Sequence, residues 1–182
     1  GYYSLIFNTL EHDRHPSWRM IQGNGKSQRE NQTGKPSRYG LCCPNNPEYH
    51  EFVKAQIKEM MEYADFDCLF FDMPFWRYPC QCEHCKAKWA KVYSIPMPES
   101  RGTEEWDKYI AIKETWTDEY LKDFTSYIKS INPDMTVYYN SFFSFLGSFS
   151  CCNKVMTGDL FIENISKLLV KQKLHNGYSE TA

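Results

Sequence analysis

The chain has 182 residues, with 21 Lys and Arg against 23 Asp and Glu, a formal charge of −2, so it carries no electrostatic footprint for nucleic acid or an anionic membrane. With 42 % hydrophobic and 24 % charged residues and a mean hydropathy of −0.62, its composition is globular and leaves no apolar span of membrane length. Aromatic residues reach 16 %, which suits a large core or a surface that stacks on flat ligands such as sugar rings.

The chain opens on Gly1-Tyr2-Tyr3-Ser4-Leu5-Ile6, already strand-like and with no signal-peptide pattern ahead of it, so it reads as cut from something longer. Residues 1–7 read as a strand. A polar stretch from Asn8 to Arg38, rich in Gly, Asn, Gln and Ser, begins a long loop over 8–46, and loops of that length are commonly functional, which makes it a candidate substrate loop. Asn46-Pro47-Glu48 then starts a helix: Asn caps it, Pro47 lacks an N–H that would be orphaned anyway, and Glu48 complements the first turn. Phe52, Val53, Ile57, Met60, Met61 and Ala64 recur at helical spacing behind it. The run Asp67-Cys68-Leu69-Phe70-Phe71-Asp72 reads as a short buried strand ended by a carboxylate.

From Cys80 to Tyr93 comes a Cys-rich turn with a short helix, and Pro96, Pro98 and Gly102 close a Cys-rich insertion over 80–102. Thr103 can cap a long helix striped by Trp106, Tyr109, Ile110, Trp116, Tyr120, Leu121, Phe124, Tyr127, Ile128 and Ile131. Asn132-Pro133-Asp134 stops it, Met135 to Asn140 reads as the next strand, and Asp159 to Glu163 as a weaker one. Strands alternating with helices of crossover length predict an α/β fold with parallel strands. A (β/α)8 barrel needs about 250 residues, so this chain would hold roughly half of one, all 182 residues belonging to a single domain. A doubly wound sheet is the alternative, but the phosphate-binding fingerprint expected after its first strand is missing.

Side-chain alternation puts Cys68, Phe70 and Asp72 on one face and Leu69 and Phe71 on the other. Asp72 therefore either ends an inward face at the strand's C-terminal edge, where a barrel gathers its catalytic groups, or caps the turn at Met73-Pro74. Asn140 would finish in the same mouth, where an amide can bond sugar hydroxyls, or else form a turn, and Glu163 closes its strand in the same way.

Cysteines occupy 42, 43, 68, 80, 82, 85, 151 and 152. A chain with ample apolar residues does not need a disulfide framework, so a reducing compartment, the cytoplasm, is expected, with some thiols on a metal. Cys80, Cys82 and Cys85 can reach one soft tetrahedral ion at the start of a helix, and a distant fourth ligand would close a structural Zn2+ site. Free or disulfide-paired thiols are the alternative there; His84 reads as a solvated helix-start residue or, in its place, a substitute for one thiol, and Cys151-Cys152 has no ligand-like partner nearby.

Taken together the motifs look familiar. Gly1-Tyr2-Tyr3-Ser4 resembles the third-strand motif of the α-L-fucosidases of glycoside hydrolase family 29, and Leu69-Phe70-Phe71-Asp72 the fourth-strand motif that carries their nucleophilic aspartate. The runs from His15 to Met20, from Tyr39 to Tyr49 and from Phe71 to Trp76 more closely resemble a group of hypothetical glycosyl hydrolases to which family 151 fucosidases are related. The likeness covers residues 1 to about 140. It implies a partial barrel of about strands 3 to 6 and a retaining glycosidase with no catalytic cofactor. Asp72 would be the nucleophile, with a second carboxyl group about 5–5.5 Å away as acid/base; the likeness does not reach that group, and the candidates are Glu163, the one strand-end carboxylate visible for the role, or a residue beyond 182. His15, Trp18, Trp76 and Asn140 would line the pyranose site, although core packing is an equal alternative for the aromatic residues.

A separate likeness concerns the metal. Cys43-Pro44-Asn45-Asn46-Pro47-Glu48-Tyr49 with Cys80, Cys82 and Cys85 is similar to the four-cysteine zinc site of family 42 β-galactosidases, which implies Cys43 as fourth ligand. Those enzymes end the fourth strand on an Asn-Glu pair, where this chain has Met73 and Pro74, so their acid/base is not matched. The expected substrate is an oligosaccharide or other glycoside, with homo-oligomerisation left open. An inactive carbohydrate-binding relative, a β-galactosidase-like hydrolase and a zinc-stapled interaction domain are the competing readings.

Overall fold

In the computed structural model the described residues are 1–30, 37–74, 76–99 and 101–140. The strand expected over 159–163, with Glu163, and the Cys151-Cys152 pair lie outside them.

Three parallel strands, β1 (Tyr2–Ser4), β2 (Cys68–Asp72) and β3 (Thr136–Tyr139), form one sheet in the order β1-β2-β3. Before the first crossover helix come a short helix, α1 (Thr9–Arg14), and a 3₁₀ turn at Pro16–Trp18, both inside the stretch read as a long loop. The two crossovers carry α2 (Pro47–Tyr63), and then α3 (Glu83–Ala90) with α4 (Glu104–Ile131). The mixed α/β class and the parallel strands are thus as the alternation of patterns predicts.

α2 begins where the cap places it: the Asn46 side chain accepts from the Tyr49 N–H at 3.0 Å, with Pro47 in the first position. Its Nδ2 also donates to the Ser17 carbonyl at 3.0 Å, so one buried amide fixes both the helix start and the preceding loop. Asn46→Ala is accordingly expected to cost about 1–2 kcal/mol, a fall in Tm of roughly 2–8 °C by calorimetry. α4 has Thr103 at its cap but no side-chain cap bond; Glu104, Glu105 and Asp107 complement its first turn instead. Its buried stripe is Tyr109, Ile112, Trp116, Tyr120, Leu121, Phe124 and Ile128, so Ile112 takes the place expected of Ile110, and Ile131 is exposed.

The two faces of the sheet differ. Leu69 and Phe71 are fully buried, Phe71 stacks on Tyr139, and the Tyr139 hydroxyl donates to the Leu121 carbonyl of α4, so this face packs under the helices. α2 and α4 are joined at the surface by Asp123, which accepts from His50 Nε2 at 2.7 Å and from Lys54 Nζ at 2.8 Å. On the other face Tyr2, Phe70 and Tyr138 are cross-strand neighbours; Tyr2 is 61 % and Phe70 38 % exposed, and their rings stack at 5.9 Å.

Candidate functional site

The register brings three strand ends to one carboxylate. Ser4 lies opposite Asp72, and the Asn140 N–H donates to the Phe71 carbonyl just beyond β3. Asp72 Oδ2 accepts from the Tyr2 hydroxyl at 2.6 Å, while Oδ1 accepts from Asn140 Nδ2 at 2.5 Å and from the Met73 N–H at 2.9 Å. Met73 reaches that bond with φ 52°, a left-handed conformation that a non-glycine residue adopts at a cost of about 1 kcal/mol or more. Burial pushes the Asp72 carboxyl up, but the bonds from Tyr2, Asn140 and Met73 outweigh it and hold the group below its ordinary value. The same bond to Asp72, followed by burial, pushes the Tyr2 phenol up. At neutral pH the pair is a carboxylate facing a neutral hydroxyl.

Of the residues expected in the site, Asn140 meets Asp72 directly. Trp18, 8 % exposed, packs against Tyr49 and Phe52 of α2 and donates to Glu48 at 2.9 Å. His15 stacks on that indole at 3.9 Å and pairs with Glu11. Trp76, 3 % exposed, packs against Trp116 and Tyr120 of α4. Both indoles are thus core residues, presenting almost no ring surface to a sugar. The exposed aromatic residues at this rim are ones that composition and spacing do not single out. Among the described residues they include Tyr2 and Tyr39, which is 46 % exposed with Phe7 edge-on to its ring at 5.8 Å.

The cysteines form a second constellation. The sulfurs of Cys43, Cys80, Cys82 and Cys85 all lie within 4.8 Å of one another, all four residues buried or nearly so. Cys43 and Cys85 sulfurs are 3.4 Å apart and Cys82 and Cys43 3.5 Å, far beyond a disulfide bond of about 2.05 Å, so the thiols are free. Backbone and side-chain N–H groups point at the sulfurs: Ile21 N donates to Cys80 at 3.4 Å and Asn45 Nδ2 to Cys85 at 3.3 Å. His84 sits outside the cluster beside Glu83, and Cys42 packs separately with its sulfur 3.7 Å from the Asn8 carbonyl. Burial pushes the Cys42 thiol up to about 12, leaving it a small inert hydrophobe.

Backbone pairing explains why Cys43 arrives and Cys42 does not. Cys42 forms an antiparallel bridge with Arg19, and the Cys43 N–H donates to the Trp18 carbonyl at 2.7 Å, so successive side chains leave this extended segment on opposite sides. The Gln81 N–H donates to the Ile21 carbonyl at 2.6 Å and the Tyr78 hydroxyl to the Met20 carbonyl at 3.1 Å. The cluster therefore joins the loop after α1 to the segment that follows Asp72.

No family model and no curated protein matches the chain. Among solved structures, the α-galactosidase from Lactobacillus brevis is similar with a TM-score of 0.42 and 15 % identity, over 76 % of this chain and 16 % of that one. The chain spans only that small part of the galactosidase, and a likeness at this level fixes neither fold family nor activity. No helix among the described residues is long and apolar enough to cross a membrane.

Proposed function

We propose that the chain is the Asp72-bearing part of a (β/α)8-barrel glycoside hydrolase of the retaining, α-L-fucosidase-like type. The observation that carries the proposal is an ionised carboxylate at the C-terminal end of the middle of the three described parallel strands, on the sheet face that the described helices leave uncovered. Strand order β1-β2-β3 without reversal and an aromatic row on the uncovered face suit a barrel whose other strands complete the wall.

A carboxylate offers about four lone-pair sites. Asn140 and Met73 occupy Oδ1 and Tyr2 takes one side of Oδ2, so the remaining direction on Oδ2 is the one from which Asp72 would attack an anomeric carbon. The C–O bond to the leaving group breaks as the Asp72–glycosyl ester forms. A second carboxyl group protonates the leaving oxygen and later takes a proton from the hydrolysing water. Glu163 is the residue we assign to that role. Tyr2 and Asn140 would hold the nucleophile ionised and in register.

Hydrolysis of aryl α-L-fucosides and β-galactosides by the full-length protein, with and without Asp72→Asn, tests the assignment. Tyr2→Phe gives a finer check. Loss of a hydrogen bond to a charged group, worth about 1.5–3 kcal/mol, should slow turnover roughly 10- to 100-fold. Removing a donor that favours the ionised form raises the Asp72 pKa, so the acidic limb of the pH profile should move to higher pH. A limb left in place would detach Tyr2 from the nucleophile.

We assign Cys43, Cys80, Cys82 and Cys85 to a structural Zn2+. Zinc–sulfur bonds of about 2.3 Å put tetrahedral sulfurs about 3.8 Å apart, close to the observed spacings, and four thiols leave no open coordination position. Donors from Ile21 and Asn45 suit thiolate sulfurs carrying negative charge. The ion would fasten the loops beside Asp72 and take no part in bond breaking.

A further inference from the structure

At the edge of the sheet where Asp72 lies, just past the end of β1, a tyrosine carries a cation. Tyr2 bonds the carboxylate at 2.6 Å. Tyr39 is seated beyond the C-terminal end of β1: Phe7, three residues past Ser4, meets its ring edge-on, and Leu5 between them donates its N–H to the Asp72 carbonyl at 3.0 Å. The exposed Arg38 guanidinium lies over the Tyr39 ring, 5.1 Å from its centroid.

The segment bearing the two residues is fixed on both sides. Thr9 Oγ1 donates to the Arg38 carbonyl at 3.3 Å and accepts from the Gly40 N–H at 3.0 Å. Gly40 is needed there, because a Cβ would come 2.5 Å from Cγ of the buried His12 ring. Among the described residues the neighbouring ion pairs join Glu11 to Arg14 and His15, Asp13 to Arg29, and Glu30 to Arg19, and none of these uses Arg38.

We infer that Arg38, laid on Tyr39, is a specificity-determining residue for glycosides bearing an oxyanion substituent, a uronic carboxylate or a sulfate ester. The inference deepens the hydrolase reading and rests on it for the identity of the site. A guanidinium offers paired N–H donors that match two oxygens of such a group, and an aromatic face holds its plane in place. Such a cation would also offset the repulsion that an anionic sugar meets from the Asp72 carboxylate.

The test measures binding by titration calorimetry with the full-length protein. Three matched pairs of methyl glycosides serve as probes: glucoside and glucuronide, galactoside and galacturonide, and α-L-fucoside and its sulfate ester. At least one charged member should bind about tenfold or more tighter than its neutral partner, and the gap should narrow as salt is raised. Arg38→Gln should abolish the gap with an unchanged melting temperature, while Arg38→Lys should restore only part of it. The uronate and sulfate arms tell which oxyanion is read. Equal binding within every pair, a gap that survives Arg38→Gln, or no binding by any probe overturns the inference. Aryl glycoside turnover, measured in parallel with Asp72→Asn, separates the two readings. Turnover that depends on Asp72 without a charge gap leaves the hydrolase standing and removes the role of Arg38. A charge gap that depends on Arg38, in a protein that cleaves no aryl glycoside, does the reverse.

Discussion

Full-length protein carrying Asp72→Asn is expected to lose about 10³-fold or more in kcat on its best aryl glycoside, with KM little changed, a barrier increase of about 4 kcal/mol. The amide has the shape of the carboxylate but neither its charge nor its nucleophilic oxygen pair. The surroundings tolerate the exchange. An amide oxygen can still accept from Asn140 and the Met73 N–H, and the Tyr2 hydroxyl, which donates to Oδ2 in the native site, can turn and accept from the new NH2 group. Melting near the native temperature with turnover gone identifies a chemical role. Turnover equal to the native protein's would take Asp72 out of the mechanism, and the retaining hydrolase would go with it.

The second large effect concerns the sulfur cluster. Elemental analysis of the purified protein should find one zinc per chain, and Cys82→Ser or prolonged chelation should remove it. The expected loss is several kcal/mol, a fall in Tm of about 10 °C or more, because losing a structural metal is among the few changes that cost so much. Three separate stretches of chain meet at these sulfurs: Ile21 through its N–H, Cys43 with Asn45, and Cys80 to Cys85. Without an ion, they would be held by weak S–H contacts and the backbone bonds beside them. A zinc-free preparation whose melting is indifferent to Cys82→Ser would refute the assignment.

The parts of this molecule legible in the sequence are those fixed by local rules. Asn46 at a helix cap, an apolar stripe along α4 and a two-residue alternation ending at Asp72 each act over a few positions, and each element formed close to its expected place. β1 is shorter than its pattern, Tyr2–Ser4 instead of residues 1–7, because a strand lasts only as long as its partner, and β2 ends where Met73 turns left-handed. α1 was hidden in a polar stretch: it has six residues and one exposed apolar side chain, Leu10, and the signal it does carry is the Asn8 side chain accepting from the Glu11 N–H.

The site divides in the same way. That Asp72 ends a strand face follows from alternation. That the Tyr2 hydroxyl reaches it depends on the register of two strands, which no spacing within either one encodes. Trp18 and Trp76 show the converse: an indole is equally at home in a core or on a sugar, and the partners on α2 and α4 that bury them come from distant sequence. Cys43 belongs to this class as well, since an antiparallel bridge between Arg19 and Cys42 decides which of two adjacent thiols turns toward the other three.

The separation in sequence of the groups that hold Asp72 has a bearing on when its surroundings are assembled. Tyr2 lies 70 positions upstream and Asn140 68 downstream, so the carboxylate has its full set of neighbours only after two wide chain closures have both succeeded. Helices can form early and locally, yet a partly folded chain would own them and still lack this arrangement. The carboxylate thus works as a keystone, and newly synthesised protein would complete its surroundings only late in assembly.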